Sequence, residues 1–134
     1  MMLAVSVLSL VALFATAKPV RTTTTAGELQ SYCKTAEENR EKGAWTSDNG
    51  YCLGYVSSFA EMISHHPIFR VDGKFYGLQI VKDFSNGDAV ILFVNYMNAH
   101  PETRDKLASS GLLSALMDAK LVAIVPVVED NQTQ

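Results

Sequence analysis

A chain of 134 residues has room for one domain. Its net charge of −3, with 11 basic and 14 acidic residues spread along the sequence, lacks the basic footprint that nucleic-acid binding requires.

The first segment reads as an address. Residues 3–14 are uncharged and apolar, and Ala15-Thr16-Ala17 offers an A-x-A cleavage site before Lys18-Pro19, which predicts a secretory signal peptide over 1–17 although the start lacks Lys or Arg. The apolar run is shorter than the roughly 20 residues a membrane span needs. No later stretch is long enough either, so the expected product is a soluble protein of the periplasm or the medium. An oxidising compartment allows the only two cysteines, Cys33 and Cys52, to form a disulfide.

Residues 18–25, with four consecutive threonines, are expected to form a disordered leader. Thr25 and Glu28 then have the spacing of a capping box, in which hydroxyl and carboxylate each satisfy an otherwise orphaned backbone N–H. Leu29, Tyr32, Cys33 and Ala36 supply the apolar stripe of this first helix, and Gly43 its stop. Ser47, Asp48 and Asn49 are available to cap a second helix. Its stripe is Cys52, Tyr55, Val56, Phe59, Ala60 and Ile63, and Pro67 requires it to end by His66. Gly54 within this helix predicts the close approach of another backbone. A Cys33–Cys52 bridge would close a loop of about 20 residues, which the chain-entropy model values at about 3 kcal/mol.

From Ile68 the period changes to that of strands. Residues 68–71 and 74–76 flank Asp72-Gly73, a pair that tolerates the positive φ angles of a type I′ hairpin, and residues 78–81 can extend the second strand. Ser85 or Asp88 caps the next element, where Val90, Phe93, Val94 and Met97 have helical spacing up to His100. Pro101 and Glu102 suit the first turn of a fourth helix, with Ala108, Leu112, Ala115, Leu116 and Ala119 as its buried stripe. Residues 121–128 are rich in β-branched side chains and predict a strand added to the hairpin, with Pro126 near an edge. Residues 129–134 read as a frayed tail.

Chemistry-bearing patterns are sparse. Cys52 with His65, His66 or His100 is conceivable as a nucleophile and base, but two cysteines in an exported chain are more simply a bridge. Adjacent histidines on a helix point different ways, and no C-x-x-C or H-x-x-x-H spacing offers a metal site. Neither a phosphate-binding glycine loop nor a G-x-S-x-G elbow occurs. These patterns favour a binding or structural protein without a catalytic residue, metal or cofactor. The mixture of Phe69, Phe75 and Tyr76 with Arg70, Asp72 and Lys74 has the composition of a protein interface, though alternate residues facing the helices would explain it equally well.

Cys33 on a first helix, Cys52-Leu53-Gly54-Tyr55-Val56 opening a second, Phe93-Val94-Asn95-Tyr96-Met97-Asn98-Ala99-His100-Pro101-Glu102 and Ala115-Leu116 together resemble the Rap/Tai family of type VI secretion immunity proteins. The resemblance covers about residues 28–119. It implies a small helical periplasmic protein, often a homodimer, that binds a secreted peptidoglycan amidase and blocks its active-site cleft. Relatives commonly carry a second cysteine pair; here the corresponding regions, near Asp83-Phe84 and near residues 121–126, have none. Strand pairing by the β-rich tail is the expected replacement, and the hairpin is longer than the family norm.

The expected architecture is therefore mostly α: a four-helix periplasmic domain over 26–128 with a small β-hairpin, a C-terminal strand and one disulfide. Its expected partner is a cell-wall amidase effector, met by Phe69, Arg70, Asp72, Lys74, Phe75 and Tyr76. The alternative is a periplasmic accessory or chaperone-like domain with no toxin partner.

Overall fold

The structure, a computed structural model, describes residues 23–43 and 45–128. The expected signal peptide over 1–17, leader residues 18–22 and the tail 129–134 lie outside the described residues. Four helices, α1 (Ala26–Glu41), α2 (Ser47–Ser64), α3 (Asn86–Ala99) and α4 (Ala108–Asp118), carry a small sheet of β1 (Ile68–Val71), β2 (Lys74–Ile80) and β3 (Val122–Pro126). The sheet is antiparallel in the order β1-β2-β3.

Each helix buries most of the stripe that its spacing requires; the exception is Tyr32 of α1, which is 37% exposed with its ring centroid 4.6 Å from that of Tyr51. Leu29, Cys33 and Ala36 of α1 meet Cys52, Val56, Phe59 and Ile63 of α2, Phe93 and Met97 of α3, and Leu112 and Leu116 of α4 in one core. Leu78 and Val122 close it from the sheet. The Thr25–Glu28 capping box forms: Glu28 N–H donates to Thr25 Oγ1 at 3.2 Å, and Thr25 N–H donates to the Glu28 carboxylate at 2.9 Å. Helix α2 is not capped as expected, because its N-cap is Thr46, whose hydroxyl donates to Asn49 Oδ1 at 2.7 Å. Asn39 of α1 donates to the same oxygen at 3.1 Å, so Asn49 ties the two helices together where a cap was expected. The disulfide joins Cys33 to Cys52, both fully buried, with the Cα atoms 5.1 Å apart.

Two expectations are corrected. Gly54 lies on an exposed face, and a Cβ there would meet nothing within 4 Å. Close approach occurs instead at Gly111 of α4, where a Cβ would lie 2.8 Å from Ala26 Cβ. The fourth helix does not begin at Pro101. Pro101–Thr103 is one 3-10 turn, and α4 starts at Ala108. The start of α1 claims the backbone between them: Gly27 N–H donates to the Arg104 carbonyl at 3.0 Å and Ala26 N–H to that of Lys106 at 2.8 Å. Ala108 N–H, which a continuous helix would direct to the Arg104 carbonyl, donates to that of Thr24 at 2.9 Å instead.

The tail strand forms as expected. β3 pairs with β2 from Tyr76↔Pro126 to Ile80↔Val122, and Val81 N–H donates to the Leu121 carbonyl at 2.8 Å. Backbone pairing thus joins the two regions in which the resemblance places a second cysteine pair.

Candidate functional site

The hairpin is built by its turn. Asp72 and Gly73 have φ of 48° and 82°, both left-handed, which matches the twist of the flanking strands and fixes Val71 opposite Lys74. Strand alternation then divides the sheet into two faces. Phe69, Tyr76, Leu78, Ile80 and Val122 point toward the helices: Leu78 and Val122 are buried, Phe69 packs against the core, and its ring stacks on Tyr76 with centroids 6.0 Å apart.

The other face is open and largely apolar. Ile68 is 62% exposed, Phe75 40% and Val127 37%, and Val125 is half-buried beside them. Gly77 lies at their centre, where a Cβ would touch the side chains of Val127 and Val125, so its absence leaves a shallow floor. The Arg70 guanidinium carbon sits 5.7 Å from the Phe75 ring centroid, a cation–π contact at the rim of the patch.

The six residues expected to bind a partner are therefore divided. Arg70 and Phe75 share the open face, Asp72 and Lys74 are exposed at the tip, and Phe69 and Tyr76 belong to the face turned to the core. Ile68, Val125 and Val127 were not among the six. Only the β2–β3 register places the two valines beside Phe75, and sequence alone does not supply that register.

The two sheet edges differ. Leu78 N–H donates to the Pro67 carbonyl and Val127 N–H to the Phe75 carbonyl, which sets the alternation of bonded pairs. By that alternation, the backbone groups of Ile68 and Arg70 face away from β2 and leave the β1 edge open. On β3 the outward positions are Val122, Ile124 and Pro126, and proline has no N–H to offer a further strand.

No comparable assembly of reactive groups exists among the described residues. Both cysteines are spent in the disulfide, so Cys52 is no nucleophile. His65 and His66 are exposed at the end of α2. His100 stacks on Tyr96 with centroids 4.3 Å apart and holds Glu102 through Nδ1 at 3.0 Å. The Glu102 carboxyl lies below its usual range, first through its own backbone N–H and then through His100. Burial pushes the Tyr55 phenol up, against a hydrogen bond with Ser109. The described residues contain no cluster of three or more His, Cys, Asp or Glu side chains suited to a metal ion, and no helix long and apolar enough to cross a membrane.

Fold and surface define a small disulfide-stapled helical domain that presents an apolar sheet face. The model of one protein family, the Rap1a immunity proteins, matches residues 25–119. The chain belongs to that family. The match includes the hairpin and ends before β3, so the strand that supplies Val125, and Val127 just after it, lie beyond it. No curated protein and no solved structure matches the chain.

Proposed function

We propose that the chain is a non-enzymatic immunity protein that is exported by the signal peptide over 1–17 and acts in the periplasm. It binds a secreted peptidoglycan amidase effector in a stoichiometric complex and blocks it. Membership of the Rap1a immunity proteins carries this reading, and a plugging inhibitor needs a shaped surface and affinity without a catalytic group.

The hairpin and the open sheet face form the contact. Phe75 and Ile68 supply apolar area, Arg70 a charged rim, and Asp72 and Lys74 the tip, which matches the apolar centre and polar margin of protein interfaces. The test is retention by tagged residues 18–134 of proteins from periplasmic extract containing candidate cell-wall hydrolases, with mass spectrometry of what is held. One amidase held at a fixed ratio by the native protein, and lost when Phe75 is replaced by Asp, supports the reading. The mass of that complex, from light scattering, shows whether the chain enters it as a homodimer. Many weakly held clients, or none, would favour an accessory domain instead.

A further inference from the structure

A second apolar concavity lies away from the sheet, between the last turns of α1 and the first turns of α2 and α3. It encloses about 270 Å³, and its floor is Ala36, Leu53, Val90 and Ile91. That volume is near the lower bound of ligand pockets, roughly 300–1,000 Å³, and suits a body the size of one side chain. Trp45, the chain's single tryptophan, stands at its rim and is 73% exposed.

Two opposite charges flank this floor, both uncommitted. Glu37 and Arg40 line the concavity from one face of α1, and neither forms an ion pair or side-chain hydrogen bond among the described residues. The guanidinium reaches across to α3, where its Nη1 lies 3.9 Å from the position a Cβ on Gly87 would take. There it stands over the first turn of a helix, whose backbone N–H groups add positive potential. Asp88, the acid of that turn, is engaged by Ser85. Arg40 thus stands on one side of an apolar floor, with the Glu37 carboxylate one helical turn away.

We propose that this concavity binds a free apolar α-amino acid: its side chain on the Leu53–Val90–Ile91 floor, its carboxylate at Arg40 and its ammonium at Glu37. The complementarity is threefold, since each uncommitted charge meets an opposite one and the apolar surface is covered. The site shares no residue with the open sheet face.

Trp45 makes the test direct, because all tryptophan emission comes from this rim. Purified residues 18–134 are titrated with L-leucine, N-acetyl-L-leucine, L-leucinamide and glycine while emission is followed. L-Leucine is expected to give a saturable blue shift, and glycine, which has both charges and no side chain, none. N-acetyl-L-leucine and L-leucinamide, each lacking one charge, should bind roughly fivefold or more weakly, the size of one charge-assisted contact. Arg40→Gln should reduce leucine to the affinity of leucinamide, and Glu37→Gln to that of N-acetyl-leucine. Both side chains reach solvent, and thermal melts confirm that the variants are folded. No saturable shift with leucine, equal responses to the three leucine compounds, or leucine affinity unchanged in both folded variants would overturn the proposal.

Discussion

Phe69 and Tyr76 stack across the hairpin with their rings 6.0 Å apart, on the face turned toward the helices. Phe75, the next residue along β2, faces solvent over Arg70. Adjacent aromatic residues thus have different work. Replacing Phe69 with Ala should cost about 1–3 kcal/mol of stability, as truncation of a partly buried ring does. Replacing Phe75 with Ala should cost under about 1 kcal/mol. Denaturant melts of the two variants check the difference, and equal losses would show that the two faces are not distinct.

A second contrast concerns glycines. Gly111→Ala would place its Cβ 2.8 Å from Ala26 Cβ, between two backbones that are both held in helices. The expected loss is about 1–3 kcal/mol from overpacking. Gly54→Ala meets open space on an exposed helical face and should stabilise by up to about 1 kcal/mol. Thermal unfolding of the pair reads both signs.

The tail strand is tested by amide exchange. If β3 replaces a covalent staple, Ala123, Val125 and Val127 should exchange slowly, because their N–H groups point to β2 in the observed register. Val122 and Ile124, whose N–H groups face the open edge, should exchange faster. Uniformly rapid exchange from 122 to 127 in the folded protein would remove β3 as a structural tie.

Acid should expose the cap of α3. The Ser85 hydroxyl first, and its backbone N–H second, hold the Asp88 carboxyl below its ordinary value of 3.8. A depressed folded pKa contributes stability above the unfolded value and loses it as pH falls through the folded one. Ser85→Ala should therefore lower Tm at neutral pH by on the order of a few degrees. That difference between native protein and variant should shrink as pH falls below about 4, where the carboxyl takes up its proton in both. Melts across that range check the trend; a difference that grows with acid would reverse the assignment.

Local signals carried most of the fold. Thr25 with Glu28 announced α1, Asp72-Gly73 announced the hairpin turn, and the stripes of α2 and α3 named their buried faces. The misplaced features depend on distant backbone. Between Pro101 and Ala108 the backbone bonds to the start of α1, with the Arg104 and Lys106 carbonyls accepting from Gly27 and Ala26 and the Ala108 N–H donating to Thr24, and nothing within that segment signals the demand. Gly54 and Gly111 look alike as isolated helical glycines, and only the docking of α1 against α4 tells them apart. The candidate site was legible as a composition but not as a face. Phe75 and Arg70 were identifiable, whereas Val125 and Val127 join them through a register set some 50 residues away, on the scale of pairings that local patterns do not encode.

The proposed function is inhibition of a secreted amidase through the open sheet face. Its most direct measurement is peptidoglycan hydrolysis by a panel of purified secreted amidases, each mixed with equimolar residues 18–134, either native or Phe75→Asp. One amidase is expected to lose its activity with the native protein and retain it with the variant, while both proteins melt alike. An amidase panel left fully active, or inhibited equally by native protein and variant, would contradict it.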